Sequence, residues 1–542
     1  MSKVKILLMS VYNDKMMQNL EDIGICFIAS FLRQEGHEVM ITRVKEDAIA
    51  YDQIVDKDPG IIGFPVYDVS KESVYRVIER IKQLLPRVWV CVGGSLPTYS
   101  SVEMLEECPL IDFAVRGEGE LTFWELVSQL PDVDGEKLGK IKGLTYRHQG
   151  MIKINDQRPL IPDINTLPLP ARDILRDNDL KTAQISTSRG CQAPCSFCIS
   201  NIFWKKWRGR KPEKVVDEIE YIVKEYGIKT FNFIDGSLED PGPGVKRLWD
   251  LAAGMVKRKL NISYFADLRS EFHQKATSQL MELLKESGLC GVCVGFESAN
   301  ESDQKLYKKI ASINDNIKFI ELLRNYDINI EPGFINFNPY STFAGLEKNI
   351  EFLEKYGFAS NLDYIVNRYR MYKGTTLYHK IKRDSLLVLD SKCREYGYDF
   401  VEKRIGFLYD YIDGYLTTIN KNTSSDITAL AFYATKFFTL LNHLKRQFII
   451  EKEDKGHAFV LQLEKQNSLI LLEVNQQAAQ WFKRLLTLAE AGWGPGKADE
   501  ISNDILSADY INKTVLKLHQ NKLQLYMKLV KLNLDSYVVS MG

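Results

Sequence analysis

Ser186-Thr187-Ser188-Arg189-Gly190-Cys191-Gln192-Ala193-Pro194-Cys195-Ser196-Phe197-Cys198 places three cysteines within eight residues, spaced C-x3-C-x2-C. Thiolates are soft ligands, and three held this close can bind one soft metal centre. Four would close a structural zinc site or complete the cysteine ligation of a cubane. Three leave one iron of a [4Fe–4S] cluster open to another ligand. A zinc knuckle needs a fourth donor, and no His or Cys follows Cys198 at the usual short spacing.

The other six cysteines, Cys26, Cys91, Cys108, Cys290, Cys293 and Cys393, lie scattered. An odd total of nine in a chain without a secretion signal is not a disulfide framework. Cys290 and Cys293 share a C-x2-C spacing but flank an expected strand, so they read as core thiols rather than a second cluster. The length of 542 residues predicts two to four domains, and 45% apolar residues is enough for packed cores. Lys+Arg and Asp+Glu both total 71, which disfavours a generic polyanion binder and argues against nucleic acid as partner. No run approaches the roughly 18 uncharged apolar residues that cross a bilayer. The start, Met-Ser-Lys-Val-Lys-Ile-Leu-Leu-Met, is a poor signal peptide. These features predict a cytoplasmic protein without a membrane span.

Upstream of the cysteines, short apolar runs alternate with amphipathic stretches. Strands are expected at Val4–Met9, Glu38–Thr42, Gly60–Val66, Val88–Val92 and Phe113–Val115. Helices are expected at Ile23–Gln34 and about Lys71 to Leu85, with another after Glu120. Such alternation predicts a doubly wound parallel sheet, Rossmann-like, over residues 1–135. Ligands of such sheets bind beyond the carboxyl ends of the strands, where this sequence carries its glycines. Residues 136–180 read as a linker with a small hairpin, Gly143–Arg147 and Met151–Ile154.

A second alternating block covers 181–388. Strands are expected at Gln184–Thr187, Thr230–Ile234, Ile262–Ala266, Gly291–Phe296, Asn329–Phe337 and Asp363–Met371, with helices such as Lys211–Tyr226 and Asn314–Tyr326 between them. Six such units predict a partial (β/α)6 barrel. Residues 389–542 read as a mainly helical domain: helices at Ser424–Ile449, Gln476–Ala491 and 498–535, and two short strands near Ala458–Leu463 and Ser468–Glu473.

The cysteine spacing, with an aromatic residue before the third cysteine, resembles the radical S-adenosylmethionine (SAM) superfamily. The resemblance implies that Cys191, Cys195 and Cys198 hold a [4Fe–4S] cluster whose open iron binds SAM. Weaker matches follow in the right order over about residues 182 to 385. Asp235 and Ser237 of Ile234-Asp235-Gly236-Ser237 stand where the family meets the SAM amino group. Arg269 is placed to pair with the SAM carboxylate. Glu297 and Ser298 of Gly295-Phe296-Glu297-Ser298 match the strand that approaches the ribose and the methionine moiety. Asn336, in Gly333-Phe334-Ile335-Asn336-Phe337-Asn338-Pro339, resembles the fifth strand, although Asn338 stands where Gly is commoner. Tyr372 opens Tyr372-Lys373-Gly374-Thr375-Thr376-Leu377-Tyr378, similar to the exit near adenine.

An open parallel sheet ahead of such a core resembles the cobalamin-dependent radical SAM enzymes. Gly93, Gly94 and Ser95, and Gly117, Glu118 and Gly119, look like two cobalamin-facing loops. Tyr67, Asp68, Val69 and Ser70 lie where the family's loop passes beneath the corrin, with Tyr67 or Val69 nearest cobalt. Many cobalamin proteins carry Asp-x-His-x-x-Gly, but the loop Ser10-Val11-Tyr12-Asn13-Asp14-Lys15-Met16-Met17 has no His. A sheet of this shape also suits a nucleotide or flavin, or no ligand. The family resemblance implies a 5′-deoxyadenosyl radical and C-methylation of an unactivated carbon in a small-molecule natural product or a peptide. Rearrangement, cyclisation or ring contraction without methyl transfer is the second reading, and a non-enzymatic redox sensor the third. The aromatic stretch Tyr396, Tyr398, Phe407, Tyr409, Tyr411 and Tyr415 reads as packing or as a lid over substrate. The run Lys205, Lys206, Arg208, Arg210 and Lys211 reads as a solvated helix entry, or as a contact for an anionic substrate or a reducing partner such as flavodoxin or ferredoxin.

Overall fold

The computed structural model describes residues 4–14, 16, 20–130, 133–178, 180–204, 206–389, 396–422, 427–451 and 453–531. Lys15, Met17, Lys205, Cys393 and the start of the expected helix at Ser424 lie outside the described residues, and of Tyr396 only the backbone is described. The chain divides into two compact units. The first comprises Met1–Gln192 and Ile199–Gly236, the second Ala193–Cys198 and Ser237–Gly542.

In the first unit, Ile6–Tyr12 (β1), Val39–Lys45 (β2), Ile61–Pro65 (β3), Trp89–Gly93 (β4) and Phe113–Val115 (β5) form a parallel sheet. Its helices are Ile23–Gln34 (α1), Tyr51–Lys57 (α2), Lys71–Leu84 (α3), Ser95–Glu107 (α4) and Gly119–Val127 (α5). The strand order is β2-β1-β3-β4-β5, so the chain reverses direction across the sheet between β1 and β3. Ligands gather at such a switch point because the loops on its two sides splay apart. β1 and β3 are buried along almost their whole length, as strands covered on both faces must be. α1 turns Ile23, Ile25, Cys26, Phe27, Ala29 and Leu32 inward. Each large apolar side chain so buried contributes about 1.5–3 kcal/mol. The hairpin Leu144–His148 (β6) and Met151–Ile154 (β7) extends this sheet, β6 pairing antiparallel with β5.

The same unit contains Thr182–Ile185 (β8), the short antiparallel pair Ser188–Arg189 (β9) and Arg208–Gly209 (β10), and Thr230–Phe233 (β11), which pairs parallel with β8. In the second unit Ser263–Leu268 (β12), Leu289–Glu297 (β13) and Asn329–Phe334 (β14) are parallel neighbours in that order. The expected sixth strand, Asp363–Met371, does not form. Asn361 caps a helical turn, Leu362–Val366, by accepting from the Asp363 N–H at 3.0 Å. Only an isolated bridge, Phe337 to Arg368, follows it. The β-branched run Ile365-Val366 suggested a strand, but the Asn cap and the Asp in the first turn start a helix there.

Among the described residues the C-terminal part forms the helices Lys403–Asn422, Ile427–Ala434, Lys436–Glu451, Asp454–Ala491, Pro495–Ile505 and Ala508–Lys531. The two expected strands near Ala458–Leu463 and Ser468–Glu473 are both part of the helix Asp454–Ala491. Its buried residues Val460, Leu463, Asn467, Leu471, Val474 and Ala478 recur three or four apart, a helical rather than a strand period. Among the described residues no helix is long and apolar enough to cross a membrane.

Candidate active site

A cavity of about 310 Å³ opens beyond the carboxyl ends of β3, β4 and β5, wholly within the first unit. Most of the glycine-rich residues singled out in the sequence line it: Tyr67, Gly93, Gly94, Ser95, Gly117, Glu118 and Gly119. Gly117, at φ +77°, has no heavy atom within 4 Å of where a Cβ would stand, so the space in front of it is free. Gly94, at φ +98°, lies against the Val66 backbone, where a side chain would strain the turn. The walls are largely apolar, with Ile25, Ile28, Phe123, Phe203 and Trp204. An apolar pocket with a few polar groups, floored by glycine backbone, fits a flat macrocycle with a polar tail.

Asp68, Val69 and Ser70 do not line this cavity. Asp68 accepts from the Tyr99 hydroxyl at 2.7 and 2.8 Å. Val69 is 37% exposed and its carbonyl accepts from Asn13. Ser70 is buried and exchanges hydrogen bonds with the Tyr67 backbone. Tyr67 does reach the cavity, but its hydroxyl donates to Asp22 at 2.8 Å. Burial, reinforced by Asp22, pushes this phenol well above its usual range and keeps it neutral.

Asp22 was not singled out in the sequence. It precedes α1, where a carboxylate normally caps the first turn, yet its side chain makes no cap. It accepts from Ser10 at 2.9 Å and from Tyr67 instead, and burial raises its pKa. The partners that hold Asp22 at the cavity wall, Ser10 and Tyr67, lie 12 and 45 residues away, so no local motif marks it.

Arg189 was also missed. It lines the cavity two residues before Cys191. Its guanidinium donates to Glu118 at 2.7 Å and to Glu120 at 2.6 Å, and lies over the Phe27 and Trp204 rings. Burial opposes its charge, but Glu120 and Glu118 hold its pKa above the usual arginine value. Glu118 also accepts from Arg208 at 2.9 Å and from the Ile161 N–H at 2.7 Å. Arg208 and Arg210 are therefore buried ion-pair partners, Arg210 of Glu218 at 2.5 Å, and not a solvated helix entry. Arg189 and Arg208 meet Glu118 from 71 and 90 residues away, which spacing along the chain does not record, whereas Arg210 meets Glu218 on the helix that follows it.

The cysteine loop follows β9. Cys191 and Cys198 are partly exposed and Cys195 is buried. In the second unit Ser196 anchors the loop: its N–H donates to the Tyr307 carbonyl at 2.9 Å, its hydroxyl to the Leu306 carbonyl at 2.6 Å, and its carbonyl accepts from the Leu377 N–H at 2.8 Å. Phe197, the aromatic residue of the motif, packs edge-on against Tyr307 at 5.3 Å. Among the described residues no group of three or more His, Cys, Asp or Glu is closed around a single ion. Three thiols that each bind a different iron of a cubane need not converge on one point, so the donor set fits a cluster better than zinc.

Asp235, in the first unit, accepts from the Thr187 N–H at 3.2 Å, the Thr187 hydroxyl at 3.1 Å and the Ser188 hydroxyl at 2.5 Å. It thus shapes the approach to the cysteine loop. In the second unit Ser237 donates to Glu239, whose carboxylate also holds Arg269 Nε at 2.7 Å. Glu239 is buried and was absent from the sequence expectations. Glu297 stands at a bulge in β13 with φ +64°, a strained conformation for a non-glycine residue. Burial raises its pKa, and Lys309, 3.6 Å away, opposes this. Ser298 is buried, its hydroxyl 2.9 Å from both the Asp303 carboxylate and the Asn349 amide oxygen. Asn336, 0% exposed, donates to the Ile365 carbonyl at 2.7 Å and accepts from Asn349. Tyr372 is partly exposed and its carbonyl caps the turn at Thr375.

Several of the described tail aromatics pack against other side chains. Tyr398 and Tyr409 flank Arg368 at 4.9 and 5.1 Å, Tyr411 and Tyr415 stack on each other, and Phe407 is 57% exposed. Cys290 is a buried core thiol that meets the Tyr264 carbonyl. Cys293 faces Asp267 and Glu331 across the sheet register, and burial pushes its thiol well above the usual range.

Residues 9–127 match the B12 binding domain family, and residues 185–353 match the Radical SAM superfamily. An uncharacterised methyltransferase of Pyrococcus horikoshii, PH0819, is 32% identical over 343 residues, covering 61% of this chain and 73% of that protein. The anaerobic magnesium-protoporphyrin IX monomethyl ester cyclase of Synechocystis is 26% identical over 57% of this chain and 63% of its own length, so less than two thirds of that relative is spanned. The cobalamin-dependent SAM radical enzyme OxsB, solved with aqua-cobalamin and SAM, superposes over 95% of this chain and 84% of its own with a TM-score of 0.65. Its 19% identity makes that a likeness of fold. The chain belongs to the cobalamin-dependent radical SAM enzymes, whose cofactors are cobalamin, SAM and a [4Fe–4S] cluster.

Proposed function

We propose that the protein is a C-methyltransferase acting on an unactivated carbon of a small natural-product or peptide substrate. The observation that carries this reading is the cavity itself: its wall includes Arg189, two residues from Cys191, so one stretch of chain serves both the sheet's ligand and the cysteine loop. When bound, the cluster with SAM supplies a hydrogen-abstracting 5′-deoxyadenosyl radical and the corrinoid supplies a methyl group.

The chain's own residues hold and orient. Cys191, Cys195 and Cys198 are the cluster ligands, and Ser196 fixes their loop. Gly93, Gly94, Ser95, Gly117 and Gly119 form the backbone floor against which cobalamin lies, with Tyr67 a neutral phenol beside it. Asp235, Ser237, Arg269, Glu297 and Tyr372 are the SAM-facing set. Ser298 and Asn336 support that set from behind, since both are wholly engaged in the protein interior. Glu239 orients Arg269 as a fixed, charged partner. A flavodoxin or ferredoxin supplies electrons, and exposed Lys206 and Lys211 remain candidates for its docking.

The relative named a methyltransferase supports methyl transfer, and the cyclase relative supports the second reading, oxidative cyclisation or rearrangement without it. Anaerobic, cluster-loaded protein given SAM with a deuterated methyl group, a reductant and candidate substrates separates them by product mass. A gain of one labelled methyl group, lost in the Cys191/Cys195/Cys198→Ala triple variant, is expected. A product that loses hydrogens and gains no label would replace methyl transfer with cyclisation.

A further inference from the structure

Arg189, Glu118 and Glu120 are all buried, and all three line the cavity. Glu118 ends the loop after β5 and Glu120 stands in the first turn of α5, whereas Arg189 belongs to β9 and leads through Gly190 into Cys191. A guanidinium is a rigid fork, so holding one carboxylate on each arm, at 2.7 and 2.6 Å, fixes its position and direction. The strand pairing of Arg189 with Arg208 adds a second tie, because Arg208 grips the same Glu118. Gly190 has no slack: a Cβ there would stand 2.3 Å from the Lys206 carbonyl oxygen. A displacement of the Glu118 loop is thus carried into the residue before the first cysteine.

We propose that Arg189 is a positioning residue that couples occupancy of the corrinoid cavity to the cysteine loop. The proposal rests on the assignments of that cavity and of Cys191 made above. A ligand that settles the Gly117–Gly119 floor settles both carboxylates, and through them Arg189, Gly190 and Cys191. By reciprocity, a loaded cluster settles the same floor and tightens cobalamin binding by the same factor.

The test is a binding linkage, read without turnover. Hydroxocobalamin is titrated by absorbance into anaerobic wild-type protein loaded with its cluster, and into the same protein after its iron has been stripped. An affinity at least about 5-fold higher for the loaded form is expected, with slower iron loss to a chelator when cobalamin is present. The double variant Arg189→Met/Glu120→Gln removes the direct link and leaves only the tie through Arg208, with Glu118 still paired with Arg208 and Ile161. It is expected to melt like wild type and to bring the ratio of loaded to stripped affinity most of the way to one, below that of Arg189→Lys. Arg189→Lys, which keeps the charge but lacks the fork, lowers the ratio without abolishing it. Equal wild-type affinities overturn the coupling alone, as does a folded double variant that keeps the wild-type ratio. Failure of either wild-type form to take up cobalamin overturns the cavity assignment and the coupling with it.

Discussion

Replacing Gly190 by alanine adds one methyl group at the point where the first unit hands the chain to the cysteines. The residue sits at φ +94°, where a side chain costs about 1–2 kcal/mol of backbone strain. The new Cβ would stand 2.3 Å from the Lys206 carbonyl oxygen and 2.9 Å from its carbon. Both are backbone atoms, so no rotamer change relieves the clash, and the Lys206–Trp207 segment or the cysteine loop must move by about 1 Å to restore a contact near 3.5 Å. Overpacking of this kind costs about 1–3 kcal/mol more. The sum, about 2–5 kcal/mol, lowers the melting midpoint by roughly 4–20 °C in a unit of this size. A ligand misplaced by about 1 Å costs on the order of 100-fold in activity. The assay is iron and sulfide per chain after anaerobic reconstitution, beside thermal unfolding and reductant-dependent 5′-deoxyadenosine formation. Gly190→Ala should fall in all three. A variant with wild-type iron content and an unchanged melt would refute the argument that Gly190 is locked between β9 and the Lys206 carbonyl.

Three further outcomes follow from the same geometry. Burial raises the Asp22 pKa, so the folded state holds its proton over a range where the unfolded chain has released it, and this part of the stability falls as pH rises through that range. Asp22→Asn removes the slope, and denaturant midpoints at about pH 5 and about pH 8 should move in favour of Asn at the higher pH; an equal gap at both values would contradict the burial effect. Gly117→Val places a branched side chain into free cavity space at φ +77° and should weaken cobalamin binding by about 10-fold or more while lowering the melt by only a few degrees, as titration and thermal unfolding would record. Glu239→Gln removes the charged partner of Arg269 and should lower SAM affinity by about 10-fold in calorimetric titration, leaving cobalamin affinity within twofold; unchanged SAM binding would remove Arg269 from the SAM site.

Much of the architecture was legible because it is written in short-range periods. α1 begins at Ile23 and ends at Gln34 as its apolar spacing and the following glycine implied, and β5 occupies Phe113–Val115. The failures lie where local signals compete. Tyr364-Ile365-Val366 has strand-like residues, yet the Asn361 cap wins. Ala458–Leu463 and Ser468–Glu473 each carry alternating fragments, but a helix of 38 residues buries a consistent stripe only when both are included.

By itself the sequence determined the three thiols and their spacing, the alternating order of strands and helices, and the glycine loops, since each depends on residues a few positions apart. Only the tertiary structure decided what the polar groups do. Glu118 looked like part of a cofactor loop and is also a partner of Arg189, 71 residues onward, and of Arg208, 90 residues onward. Asp22, which no local motif marks, holds Tyr67, 45 residues away. A buried charge or carboxyl group must find a partner wherever the folded chain brings one within hydrogen-bond reach. That partner is set by the packing of elements distant in sequence, and the local pattern carries no record of it.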